Sequence, residues 1–222
     1  MVDEEEWEWI AEHASGRFDH LILATSLPAF LPAGIHHLEA WNEAVCDGAW
    51  GAIAQRLGER LRRAVDLEHW AAYQQSFRNL TELLRSISRA DDPPATITIL
   101  SGDVHTSYVA SVDLRAGAGT SRVHQVVCSP FRNPLNQAER RIVKLTGSRP
   151  AAFLFSALAR ACGVRPPVAT WTISSRRTFH NSIGELALDR HRAHVTLFRS
   201  RPGSEQGDSA GLVRIYDADL GG

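Results

Sequence analysis

Much of what would assign this sequence at once is missing from it. Its three cysteines, Cys46, Cys128 and Cys162, form no C-x-x-C pair and are too few for a disulfide framework, so they read as buried thiols in a reducing compartment. Lysine is nearly absent and arginine carries the positive charge, yet the formal net charge of −1 leaves no basic field for nucleic acid or a membrane surface. No apolar run approaches bilayer-spanning length. The acidic start, Asp3 to Glu6, leads into no apolar signal core, so the chain as written is expected in the cytoplasm. A G-x-S-x-G elbow, a P-loop, a dinucleotide fingerprint and internal repeats are lacking too, which argues against serine esterases, nucleotide cradles and solenoids.

What is present fits an α/β protein: 222 residues of ordinary composition, enough for a proper core. Apolar, β-branched runs predict strands over Leu21 to Ser26, Thr96 to Leu100, Tyr108 to Leu114 and Ser121 to Cys128. The last two form a hairpin through Gly117-Ala118-Gly119. Glu4 to His13 reads as a short amphipathic helix. Trp70, Tyr73, Phe77, Leu80, Leu84 and Ile87 mark a long helix over Asp66 to Ser88, capped by Asp66 and with Glu68 in its first turn. Between them, Pro28 to Gly51 is rich in prolines, glycines and tryptophans and reads as a long loop, with His36 and His37 pointing opposite ways. Two helices, Asn136 to Thr146 and Ala151 to Cys162, come next. A β-rich section closes the chain: Val168 to Ile173, Ser182 to Leu188, His194 to Phe198 and Leu212 to Tyr216, with Gly203 to Gly211 a polar loop. The expected division is 1–134 core, 135–165 helical cover and 166–222 β-rich section.

The candidate chemistry sits after the strand Thr96 to Leu100. Asp103 and His105 stand at i and i+2, and extended backbone would aim a carboxylate and an imidazole to the same side at a strand's carboxyl end, where open α/β sheets bind ligands. Spacing alone is weak, since Asp189-Arg190-His191 repeats it in a charged turn. Hard oxygen beside borderline nitrogen suits iron, manganese or calcium. Arg132 offers a fork for a phosphate, though pairing with a surface carboxylate is the commoner fate. His20 reads as a polar residue at a strand start, and His124 as a hydrogen-bonded core histidine within a strand.

The stretch Ser101-Gly102-Asp103-Val104-His105 resembles the final metal-binding motif of PhoD-like phosphatases, the alkaline phosphatase D family of calcineurin-like metallophosphoesterases. Asp66-Leu67-Glu68-His69-Trp70, the run from Val123 to Pro130, and Arg132-Asn133-Pro134-Leu135 extend the resemblance up to about Asn181. It implies a mixed sheet flanked by helices, the second half of an αββα sandwich, and a phosphoesterase that uses two or more metal ions to attack a phosphate ester. Asp103 and His105 would be metal ligands and catalytic, with Glu68, His69, Arg132 and Asn133 in the outer shell or on substrate. The family's upstream Asp-x-His, Gly-Asp and Gly-Asn-His motifs have no counterpart, so the chain looks like the carboxy-terminal half of such an enzyme, inactive alone. The alternative is a non-catalytic, truncated or degenerate relative serving structure or binding. If half the sandwich is absent, uncovered strand surface is expected to drive self-association.

Overall fold

The computed structural model describes residues 2–114, 119–131, 135–201 and 211–221. The architecture is α/β, and the chain divides into two compact units of interleaved segments. One comprises Met1–Asp3, Ala29–Glu82 and Asn136–Val168; the other comprises Glu4–Pro28, Leu83–Leu135 and Ala169–Gly222. Among the described residues no helix is long and apolar enough to cross a membrane.

The β-rich unit holds two sheets. In the first, β1 (His20–Ala24), β2 (Thr96–Ser101), β4 (Arg122–Val127), β3 (Tyr108–Asp113) and β5 (Thr170–Ile173) lie in the order β1-β2-β4-β3-β5. β1, β2 and β4 run parallel, whereas β3 is antiparallel to both β4 and β5. β2 is buried from Thr96 to Ile99, as its unbroken β-branched run requires of a strand covered on both faces. The second sheet is a meander of β6 (Ser182–Asp189), β7 (Arg192–Arg201) and β8 (Gly211–Asp219). Ala193, Val195 and Leu197 of β7 point to one side and pack with Val109, Val126 and Leu220, laying the meander over one face of the first sheet. His20 bonds Thr96 Oγ1 at 2.8 Å through Nδ1, and His124 Nε2 donates to the Leu220 carbonyl at 2.9 Å, so both are structural strand histidines. The helix α1 (Glu4–His13) also belongs to this unit.

The other unit is helical and departs most from the sequence reading. Pro28 to Gly51 is not a loop: α2 spans Ala33–Cys46, and α3 follows at Gly51–Ala64. The buried face of α2 is Gly34, His36, Glu39, Ala40, Asn42 and Val45, a stripe at helical spacing but largely polar, which is why apolar periodicity does not reveal it. Gly34 lies where α2 meets α5 (Gln137–Thr146) and α6 (Arg149–Ala161). A Cβ there would stand 2.0 Å from the Thr146 carbonyl oxygen.

The long helix expected over Asp66 to Ser88 is also shorter. Asp66 is left-handed at φ 49° and lies in a turn outside any helix; a 3-10 turn occupies Trp70–Ala72, and α4 spans only Gln74–Ser88. Phe77, Leu80, Leu84 and Ile87 do form its buried stripe. The boundary between the units falls within α4, between Glu82 and Leu83. The expected hairpin pairs β3 with β4 in antiparallel register; Gly117 and Ala118 of its turn, and all of the polar loop before Gly211, lie outside the described residues.

Candidate functional site

Three parallel strands end along one edge of the five-stranded sheet, and backbone bonds lace the segments that leave them. Thr25 N–H donates to the Leu100 carbonyl at 3.0 Å, Gly102 N–H to that of Ser26 at 3.2 Å, and Cys128 N–H to that of Ser101 at 3.0 Å. β3, being antiparallel, starts at the same edge, with Tyr108 beside Val127. Asp103 and His105 sit here, but not as a continuation of β2. The strand stops at Ser101, and both residues adopt left-handed backbone, φ 53° at Asp103 and 50° at His105. The extended-strand argument for their shared direction therefore fails. Each left-handed residue costs on the order of 1 kcal/mol, and such outliers concentrate at functional turns.

The turn is held from two sides. His105 N–H donates to Ser129 Oγ at 3.2 Å, Ser129 N–H donates to Ser107 Oγ at 3.0 Å, and that hydroxyl donates back to the Ser129 carbonyl at 2.9 Å. On the other side, Ser107 N–H and the Thr106 hydroxyl both donate to the Thr178 carbonyl at 2.9 Å. Val104 packs on Tyr108, Ala110 and Val127. With Val104 anchored inward, Asp103 is left exposed and His105 half-buried. Burial pushes the thiol of neighbouring Cys128 up, partly offset by Ser107, which disfavours its thiolate.

Glu68 and His69 belong to the helical unit. Glu68 is an exposed turn residue, its N–H donating to the Asp66 carbonyl at 3.0 Å, so it lies at no helix N-terminus. His69 Nδ1 meets Glu39 Oε1 at 2.5 Å, and Glu39 is fully buried. Burial raises the Glu39 carboxyl above its usual range, and the His69 hydrogen bond draws it part of the way back. His36 is pushed down to about 3 by burial and by His37 beside it, and its ring packs 4.8 Å from that of Phe77. It is a neutral core histidine. Glu43 does what the sequence reading gave to Asp66: its carboxylate accepts the Gln74 N–H at 2.9 Å, capping the start of α4. Glu39 and Glu43 were hidden because they lie in the stretch that reads as a loop.

Arg132 and Asn133 lie outside the described residues. Among those that are described, no three His, Cys, Asp or Glu side chains gather closely enough to hold a metal ion. Asp103 and His105 are the right kinds of donor for a mixed oxygen and nitrogen site but fall short of it in number. No protein-family description, curated protein or solved structure matches the chain.

Proposed function

We propose that this chain carries the carboxy-terminal part of a PhoD-like, metal-dependent phosphoesterase, with Asp103 and His105 contributing two of its metal ligands. The observation that supports the reading is the pair of left-handed residues at the carboxyl end of β2, one exposed and one half-buried, on a turn braced by Ser107, Ser129 and Thr178. A strained, rigid turn at the ligand-binding edge of a mixed α/β sheet is a sound mount for reactive side chains. Metal ions bound in such an enzyme would activate a water and neutralise phosphoryl charge. This chain's own part is to fix the Asp103 carboxylate and the His105 imidazole, the latter through its amide bond to Ser129. The remaining ligands would come from residues beyond those described, and Arg132 and Asn133, after β4, are the proposed substrate contacts.

One observation favours the second reading, a non-catalytic relative that serves structure or binding: the described residues offer no third ligand. Equilibrium dialysis against manganese, iron and calcium separates the two. With only two ligands of a larger set, the phosphoesterase reading expects this chain to retain an ion only weakly, a retention that Asp103→Ala and His105→Ala each abolish, with negligible phosphoester hydrolysis by the chain alone. Equal retention by all three proteins would leave the non-catalytic reading.

A further inference from the structure

The edge that carries Asp103 and His105 also carries a cation that has no counter-charge among the described residues. Arg177 precedes Thr178, the residue whose carbonyl braces Thr106 and Ser107, so its backbone is fixed against the start of β3. Its guanidinium is half-buried and lies near the Tyr108 hydroxyl. Nη1 is shielded from solvent with no hydrogen-bond partner, and no carboxylate lies within 4.0 Å among the described residues. Burial pulls the guanidinium below its ordinary value, the mark of a charge kept where it is not welcome. Ser101 Oγ, at the last position of β2 on this edge, is likewise buried without a partner. Buried donors are nearly always satisfied in folded proteins, so the shielded Nη1 of this half-buried guanidinium is an exception that a bound anion would remove. Surface arginines such as Arg17, which meets Asp92 at 2.7 Å, carry no such deficit.

We propose that Arg177 is the anchor of an oxyanion site on this edge, taking a phosphoryl or similar tetrahedral group. The guanidinium fork suits such an anion, supplying two N–H donors in a plane. The choice of phosphoryl rests on the phosphoesterase reading; the need for an anion does not. The class of ligand is therefore a small molecule or ester bearing a phosphate or sulfate group, and the role of Arg177 is binding, with no bond made or broken on it.

The test is thermal melting of the whole protein with inorganic phosphate and, in parallel, sulfate. Wild type is expected to melt higher in a saturable way as either anion is added up to about 50 mM, as a ligand specific for the folded state requires. Arg177→Met should lose that response. It should also raise the melting temperature without anion by about 2–4 °C, since an apolar side chain replaces a half-buried charge. A merely structural arginine predicts the reverse, a lower melting temperature and an unchanged anion response, and either finding overturns the site. So does the absence of any saturable response in wild type. Should Arg177→Met not fold, Arg177→Lys decides: a weakened but saturable response sustains the site, and one equal to wild type removes it. Asp103→Ala is expected to keep the anion response while losing metal, so the two proposals fail separately.

Discussion

Asp103-Val104-His105 and Asp189-Arg190-His191 share a spacing, and both bend the backbone into the left-handed region, but the bends serve different ends. The second triplet sits at the two-residue connection from β6 to β7. Asp189 pairs with Arg192, and Arg190 at φ 50° lets the chain reverse. Its side chains go to solvent, and His191 Nδ1 meets an exposed Asp19 at 3.7 Å. The first triplet makes no hairpin. It carries the chain past the end of β4 to reach β3, places strained residues on both sides of Val104, and is bonded to Ser129. Strain explained by the turn it closes says nothing of function, whereas strain beyond what the connection needs leaves a role for the side chains.

Several measurements would sharpen or erase that contrast. On the phosphoesterase reading, Asp103→Ala and His105→Ala made in the proposed complete enzyme are each expected to lower phosphoester turnover by more than about tenfold, while Asp189→Ala and His191→Ala stay within about twofold. Kinetics on the four variants would end the distinction if all behaved alike. Glycine substitution separates strain from chemistry: Asp103→Gly and Arg190→Gly should each raise stability by about 1 kcal/mol, because both relieve left-handed backbone. Urea midpoints report that gain, and only Asp103→Gly should forfeit metal retention.

Ser129→Ala removes the acceptor of the His105 amide, at a cost of about 1 kcal/mol. It should weaken metal retention, and no residue plays this part beside Asp189. The smallest effect concerns the strand that follows the second triplet. His194 of β7 donates through Nδ1 to Asp219 Oδ1 at 2.9 Å and through Nε2 to Asp217, which also pairs with Arg214 at 2.5 Å; Arg192 lies near Asp219. The hydrogen bonds to Asp219 and then Asp217 raise the imidazole above its usual 6.5. A raised folded-state value means the stabilisation is complete below 6.5 and fades as pH climbs through the higher, folded value. Melting temperature should therefore decline slightly as pH rises above 6.5. His194→Gln should flatten that decline.

How far the fold was legible depended on which side chains line each buried face. The strands announce themselves because β2, β4 and β7 bury aliphatic residues, and α5 is marked by Asn136, whose side chain takes the Glu139 N–H in a capping box. α2 stayed hidden because it buries His36, Glu39 and Asn42, polar groups that break the apolar pattern; Glu39 pairs with His69, and Asn42 donates to the Gly58 carbonyl at 3.1 Å. α3 was hidden for the opposite reason: Ile53 and Leu57 are exposed, and Gly58 is its buried residue. In the stretch before α4, Trp70 and Tyr73 keep helical spacing with Phe77 although the chain leaves the α conformation at Tyr73 (φ −134°, ψ 70°). Periodicity registers the faces and misses such breaks. At the site, the identities of Asp103 and His105 were readable and their backbone was not. Arg177 carried no signal, since its interest lies in the partner it lacks.

The interleaving of the two units has a consequence for synthesis on the ribosome. A nascent chain emerging amino end first cannot finish the helical unit until Val168 is out, because α2 needs the surface of α5 and α6 against Gly34. Nor can it cover Val109 and Val126 before β7 and Leu220 follow. Most of the polypeptide therefore waits in a partly assembled condition, and a stall or release anywhere before β7 would hand the quality-control machinery an open sheet.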